Sequence, residues 1–393
     1  MIEYLLTIVK GGNKLKNRKL VMIPGPTPVV RSIQDQMGRD TVAFGDPGFI
    51  KDFKGILSDL KELWGTSGEV FVVAGTGTMA MEMAISNTLK AGDNLLIVSH
   101  GFFGDRFIEL SERKGINVDV IKSEWGKVFS VAEIEAKLNE KNYQAITITH
   151  VDTSTAAVAP IAEIGEMMKK FPDTMYIVDG VAASAAEPEY VDKMNIDILF
   201  TASQKAFGVA PGLAILWASE RAMARRESLG TIPEYYIDFA KWLPIMHDTS
   251  KYYATPAVNL VWALQESIRI IKEEGLEARY ARHIKNAKAM RVALEAMGFS
   301  ILADEANRAV TLSCVLYPEG LDDLKFRTTL AEEGAQVAGG LAAYAGKMFR
   351  VGHMGNIDIH DLVGAISAIE RTLYRMGTDV LGKGVAALQK ELF

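Results

Sequence analysis

An aspartate and a lysine stand at the ends of separate apolar runs, and their side chains suit one shared ligand. Met175-Tyr176-Ile177-Val178 ends in Asp179-Gly180, and Asp197-Ile198-Leu199-Phe200-Thr201-Ala202-Ser203-Gln204 leads to Lys205. If both runs are strands of one sheet, the carboxylate and the amine can grip opposite ends of one flat molecule. A lysine amine forms a Schiff base with an aldehyde, and a carboxylate keeps a ring nitrogen protonated. Pyridoxal phosphate needs both groups in that arrangement.

Other segments could complete such a site. Ala74-Gly75-Thr76-Gly77-Thr78 joins an apolar run to a helical one. Its glycines admit an anion close to the backbone, the helix start offers free N–H groups, and the threonines add hydroxyl donors. Gly75-x-Gly77-x-x-Ala80 also fits the dinucleotide fingerprint. That fingerprint wants an acid closing the next strand, which here ends Val98-Ser99-His100; a phosphate cradle is the better reading. Gly101-Phe102-Phe103-Gly104 follows that strand and could lay a ring against a planar cofactor. Thr149-His150-Val151-Asp152-Thr153-Ser154-Thr155 is rich in short hydroxyls. Arg350 alternates with Phe349 and Val351 and so points away from them. Its planar fork suits a substrate carboxylate, although a surface salt bridge would explain an isolated arginine as well.

The elements that must position these residues alternate. Apolar strands are expected at 71–73, 94–99, 118–121, 145–149, 175–178 and 196–200. Helical patterns lie between them at 78–90, 105–114, 131–139 and 161–170. Continuous apolar strands separated by helices imply an α/β fold, with a mostly parallel central sheet covered by helices on both faces. The run 213–217 reads as a further strand, antiparallel because its connection is short. Parallel sheets bind ligands beyond the carboxyl ends of their strands, where all these loops would converge. A long helical region from Pro256 breaks at Gly275. Beyond it, a helix at 276–297, strands at 300–304, 309–317, 335–338 and 347–352, and helices at 320–333 and 357–376 suggest a smaller α+β domain. The expected division is an arm at 1–19, a large domain at 20–275 and a small domain at 276–393.

The 393 residues carry a formal charge of −6, which gives no reason to expect nucleic acid or an anionic membrane as a partner. The basic cluster of Lys10, Lys14, Lys16, Arg18 and Lys19 reads as a solvated arm. A single cysteine, Cys314, excludes an intrachain disulfide and a Cys-based zinc cluster, and no metal site is expected. The apolar stretch 4–9 is too short to span a membrane. The expected compartment is the cytoplasm.

Taken together, these segments resemble the class V aminotransferases, in particular the alanine–glyoxylate and serine–pyruvate branch of the fold-type-I pyridoxal phosphate enzymes. The likeness covers residues 20–377. Pro24-Gly25-Pro26-Thr27, Gly75-Thr76-Gly77-Thr78, Gly101-Phe102-Phe103-Gly104, His150-Val151-Asp152-Thr153-Ser154-Thr155, Asp179-Gly180-Val181, Ser203-Gln204-Lys205-Ala206 and Phe349-Arg350-Val351-Gly352 carry it. The resemblance implies that Lys205 binds the cofactor covalently and Asp179 pairs with the pyridine nitrogen. It places Val181 on one ring face and Phe103 on the other, with Thr153 near the phenolic oxygen. Thr76, Gly77, Thr78 and Gln204 would hold the phosphate, helped by Tyr252 and Thr255 from a second subunit, so a homodimer with shared sites is implied. Gly25 would lie in a substrate loop, and Arg350 would bind the substrate carboxylate.

Asp152 stands where a glutamate is common, Ala156 where a glycine is common, and Ala210 where a proline is common. Phe44-Gly45-Asp46-Pro47 lacks a frequent His-Arg pair. These departures bear on substrate identity. The implied reaction moves an amino group from alanine or serine to glyoxylate or pyruvate by a ping-pong mechanism. Other donors in the same class are 2-aminoethylphosphonate, ureidoglycine and hydroxykynurenine. A sulfur-removing lyase is a further alternative, but it needs a mobile cysteine, and Cys314 lies in an apolar run.

Overall fold

Fully apolar strands alternating with one-sided helices build a seven-stranded sheet in the computed structural model, which describes residues 19–393. Apart from Lys19, the basic N-terminal cluster lies outside the described residues. Across the sheet the strands run Glu69–Ala74, Leu213–Ala218, Ile198–Ala202, Met175–Asp179, Ala145–Thr149, Asn94–Ser99 and Asn117–Lys122. Leu213–Ala218 is antiparallel to both its neighbours, as its short connection requires, and the remaining pairs are parallel. Residues of the central strands are buried throughout, because helices cover both faces and no strand residue can turn to water.

Several helices escape the sequence reading. Pro47–Trp64 starts where Asp46 accepts hydrogen bonds from the N–H groups of Gly48 and Phe49, with Pro47 just inside the first turn. It stops at Gly65, whose φ of 61° favours a residue without a β-carbon. Between these signals Phe49, Phe53, Ile56, Leu60 and Leu63 form one buried stripe. Arg31–Met37, Glu220–Ser228, Phe239–His247 and Lys383–Leu392 are further helices of this kind. The helix expected from 105 begins earlier, at Phe102.

Beyond Gly275 a four-stranded antiparallel sheet forms in the order Ser300–Ile301, Leu312–Leu316, Met348–Gly352, Ala338–Gly339. The expected strand at 335–338 is divided. Ala335–Gln336 leaves that sheet to pair in parallel with Leu20–Val21. The N-terminal segment thus crosses to the C-terminal unit, where Met22 joins a core with Phe299, Phe326 and Phe349. We propose the domain boundary at Gly275, with residues 20–22 packed on the smaller unit. Among the described residues no helix is long and apolar enough to cross a membrane.

Arg279 lies at the join and is fully buried. Its guanidinium donates to the carbonyls of Ala185 (2.8 Å) and Ala206 (2.7 Å) and to Glu274 (2.8 Å). These carbonyls belong to the loops that follow Asp179 and Lys205. Burial holds its pKa down at about 10. Replacement by an apolar side chain leaves two buried acceptors without donors. Arg279→Met should therefore lose about 2–4 kcal/mol of stability, read as a lower denaturation midpoint; an unchanged midpoint would show that these carbonyls find other partners.

Candidate active site

Strand register brings Asp179 opposite Thr149 on one side and Phe200 on the other. It is the last residue of its strand and is 3 % exposed. One carboxylate oxygen accepts a hydrogen bond from the N–H of Val181 (2.9 Å). Burial pushes its pKa up to about 7; Asp152 and Glu189 add repulsion, while the Val181 bond and Lys205 act against the shift. A neighbouring buried network joins His150 Nδ1 to Glu189 (2.8 Å) and Ser184 Oγ to the same carboxylate (2.5 Å).

Lys205 follows Ile198–Ala202 in the adjoining turn and is half-buried. Its amine donates to the carbonyl of Pro24 and makes no ion pair with Asp179 within 4.0 Å. Burial brings its pKa down to about 8; Arg350 pushes the same way, against Asp179 and Asp152. The turn is anchored by Thr27, whose hydroxyl donates to the Lys205 carbonyl (2.8 Å) and whose N–H donates to that of Gln204 (3.0 Å). Gly25 lies against the lysine: a β-carbon there would sit 2.7 Å from Lys205 Cδ, and its φ is +109°. The left-handed φ favours glycine, and a β-carbon would also push the lysine chain aside.

The helix Gly77–Ser86 begins at Thr76, which offers no side-chain cap, so its first N–H groups are free for an anion. The helix packs closely on the Asp179 loop, since a β-carbon on Gly77 would meet the Val181 methyl at 3.0 Å. Thr78 Oγ1 accepts a hydrogen bond from Arg106 (2.8 Å). Phe103 lies in the first turn of Phe102–Glu112, which Asp152 caps: one carboxylate oxygen accepts from the N–H groups of Phe103 (2.9 Å) and Gly104 (3.1 Å). Asp152 is thus both a helix cap and a charge felt by Asp179 and Lys205. It approaches so near that a β-carbon on Gly101 would fall 2.5 Å from its oxygen.

Arg350 is half-buried on Met348–Gly352, while Phe349 and Val351 point into the small-domain core. Its guanidinium donates to the carbonyls of Gly339 (2.8 Å) and Thr153 (3.1 Å). Among the described residues no carboxylate lies within ion-pairing distance of it, so the salt-bridge reading fails and an anion-binding capacity remains. Cys314 lies opposite in register, buried, with its thiol donating to the Ser154 carbonyl (3.3 Å). Burial pushes that thiol up, away from the reactive thiolate.

Asp179, Val181, Gly77, Thr78, Phe103, Thr153, Gln204, Lys205, Gly25 and Arg350 thus adjoin one another through the contacts described, and Thr76 heads the Gly77 helix. Tyr252 and Thr255 stand apart: both are exposed, and the Tyr252 ring lies against Phe44 at 5.2 Å. Pro24, Thr27 and Asp152, which lie in the motifs carrying the resemblance without an assigned role, join the site, as does Arg106, which the sequence reading did not single out. A signal for Arg106 exists, since it lies one turn beyond Phe103, but it needs the helix start at Phe102. A cavity of about 980 Å³ runs from Thr78 and Arg106 toward Pro233 and is not lined by Lys205 or Asp179; volume does not locate the chemistry here.

The residues suit pyridoxal phosphate. Lys205 has an amine near neutrality, and Asp179 has a buried carboxylate. Gln204 carries a buried amide oxygen without a partner, and the hydroxyls of Thr149 and Thr201 are likewise unpartnered. Fold and donor set together define a fold-type-I pyridoxal phosphate enzyme. Residues 48–357 match the family Aminotransferase class-V, and the chain belongs to that family. It is 36% identical over 384 residues to an uncharacterized aminotransferase of Methanocaldococcus jannaschii, covering 95% of this chain and 98% of that one. It is 30% identical to serine–glyoxylate aminotransferase of Arabidopsis thaliana, covering 94% of each. The crystal structure of ureidoglycine–glyoxylate aminotransferase from Bacillus subtilis superposes with a TM-score of 0.92 at 27% identity, covering 96% of this chain and 99% of that one. The protein is therefore an aminotransferase that uses pyridoxal phosphate.

The raised pKa of Asp179 has a consequence for stability. The folded carboxyl titrates at about 7 against an ordinary value of 3.8, so the folded state holds the proton more tightly. Stability then falls as pH rises from 3.8 to 7, and above 7 the full penalty of the buried charge remains. Asp179→Asn should stabilise the cofactor-free protein at pH 8 by about 2–4 kcal/mol, and the gain should vanish near pH 4. Thermal midpoints across that range check it; a gain independent of pH would refute the assignment.

Proposed function

We propose that the enzyme transfers an amino group from a small amino acid, alanine or serine, to a 2-oxo acid, glyoxylate or pyruvate, in two half-reactions. The observation that carries this reading is the half-buried guanidinium of Arg350, without an acidic partner among the described residues, beside Lys205, whose pKa burial brings down to about 8. Glyoxylate is the acceptor named for the Arabidopsis and Bacillus relatives, and serine is the donor named for the first. Ureidoglycine, named for the second, is the alternative donor.

Pyridoxal phosphate supplies an electron-accepting ring that makes the bond to the substrate α-hydrogen acidic. Lys205 would hold the cofactor through its amine. Its Nζ, whose pKa burial and Arg350 bring down to about 8, would act as the base that takes up and returns the substrate α-proton. Asp179 would keep the ring nitrogen protonated. Arg350 binds the α-carboxylate in a bidentate fork and orients the donor. Val181 and Phe103 would flank the ring, Thr153 would meet its phenolic oxygen, and Thr76, Gly77, Thr78 and Gln204 would hold the phosphate. Gly25 keeps the floor beside Lys205 open. Tyr252 and Thr255, exposed in this chain, would reach the phosphate of a second copy, which makes the working unit a homodimer. With a single cysteine the cytoplasm is its natural compartment. The buried Cys314 thiol argues against sulfur removal.

A spectroscopic half-reaction panel tests the proposal. The yellow holoenzyme should bleach with alanine or serine, and glyoxylate or pyruvate should restore the colour. Lys205→Ala should lose turnover and keep its fold. Arg350→Lys should raise KM for the donor about 10–100-fold, with a smaller effect on kcat. Bleaching by neither alanine nor serine, with ureidoglycine active, would move the assignment to the alternative donor.

A further inference from the structure

We propose that Arg106 is a cofactor-positioning residue acting at the phosphate end of the site. The inference rests on reading Gly77–Thr78 as that end. Arg106 lies on the helix Phe102–Glu112, one turn beyond Phe103 and on the same face. Its guanidinium carbon is 4.8 Å from the centroid of the Phe103 ring and 5.5 Å from that of Phe102. One of its nitrogens donates to Thr78 Oγ1 at 2.8 Å. The same cation thus touches the aromatic residue expected over the ring and the hydroxyl expected at the phosphate.

The direction it takes is informative. Glu109 lies within reach one turn further on, yet Glu109 pairs with Arg113 at 2.5 Å. Glu82 lines the same cavity as Arg106. Among the described residues, nevertheless, no carboxylate comes within 4.0 Å of Arg106. A surface arginine with acids nearby ordinarily pairs with one of them; this one is turned toward the start of the Gly77–Ser86 helix.

The hydrogen bond also settles how Thr78 can act. A hydroxyl has one proton to give and lone pairs to receive. With a lone pair engaged by Arg106, the Thr78 proton is free to donate to a phosphate oxygen. The guanidinium adds a full positive charge to the positive end of the helix dipole, facing a group of charge about −2. It keeps donors to spare, since a guanidinium has five N–H groups. Its contact with the Phe103 ring face helps hold the guanidinium beside Thr78.

The test separates a phosphate effect from a packing effect. Cofactor is released from Lys205 of the holoenzyme with hydroxylamine and removed by dialysis. The wild type, Arg106→Gln and Arg106→Lys are then titrated with pyridoxal phosphate and with pyridoxal, which lacks the phosphate. Arg106→Gln should weaken pyridoxal phosphate binding about tenfold or more and leave pyridoxal binding unchanged, and Arg106→Lys should recover part of the loss. Added salt should weaken pyridoxal phosphate binding more in the wild type than in Arg106→Gln. Equal losses for the two ligands, or no loss for either, would overturn the proposal. A wild-type protein that does not prefer pyridoxal phosphate over pyridoxal would instead remove the phosphate cradle itself, a failure visible without any substitution.

Discussion

An acid and an amine share one desolvated cleft without pairing, and much of the architecture around them exists to keep them so. Two opposite charges in a medium of low polarity attract strongly, and a direct bridge would fill the space between them. Here the Lys205 amine is drawn to the Pro24 carbonyl instead, and Asp179 is held by the N–H of Val181. Each group is left with a burial penalty that moves it toward neutrality, the acid upward and the amine downward. Both pKa values then fall in the range where proton transfer is possible near neutral pH. A tight ion pair would have pushed both in the opposite direction and left neither available.

That separation depends on contacts from distant parts of the chain. Pro24, Gly25 and Thr27 press the N-terminal segment onto the lysine turn. The same segment is tied to the small domain, since Met22 receives a hydrogen bond from the N–H of Gly352, two residues beyond Arg350. The amine and the guanidinium are therefore held by one continuous stretch of backbone contacts. A β-carbon on Gly352 would meet the Ile23 carbonyl at 2.4 Å, which shows how closely the two segments approach. Arg279 acts from the opposite side, gripping the loops after Asp179 and Lys205 together. A second join between the two units is the stack of Trp125 on Tyr344, with centroids 5.2 Å apart and planes 10° apart.

The departures from the family pattern acquire physical meaning in the fold. Asp152 is short enough to sit beneath the helix that carries Phe103 and cap two of its N–H groups, and Gly101 leaves room for it. Ala156, where glycine is common, has a φ of 58°, in the left-handed region that disfavours a β-carbon. It is buried beside the Asp152 turn and bound through its carbonyl to Ala309. The surrounding backbone bonds hold it in place. Phe44-Gly45-Asp46-Pro47 leads into the helix Pro47–Trp64, whose first turn Asp46 caps.

Local pattern by itself determined the class of this protein. The order of apolar strands and helices, the acid and lysine at the ends of their runs, the Gly-Thr-Gly-Thr loop and the buried environment of Cys314 are all written in contiguous residues. Each follows from side-chain periodicity or from backbone needs within a few positions. The helices at 31–37, 220–228, 239–247 and 383–392 were less legible: their stripes are short, or broken by residues such as Pro244. The helix at 47–64 carried legible start and stop signals that the sequence reading passed over. Only the tertiary structure decided that residue 335 pairs with residue 20, that Pro24 receives the lysine's hydrogen bond, and that Arg106 turns from Glu109 to Thr78. It also decided that Arg350 has no acidic partner and that Tyr252 faces outward. Such facts depend on which strands neighbour one another and how two cores dock, through many weak contacts between residues far apart in the chain. No window of sequence contains both partners.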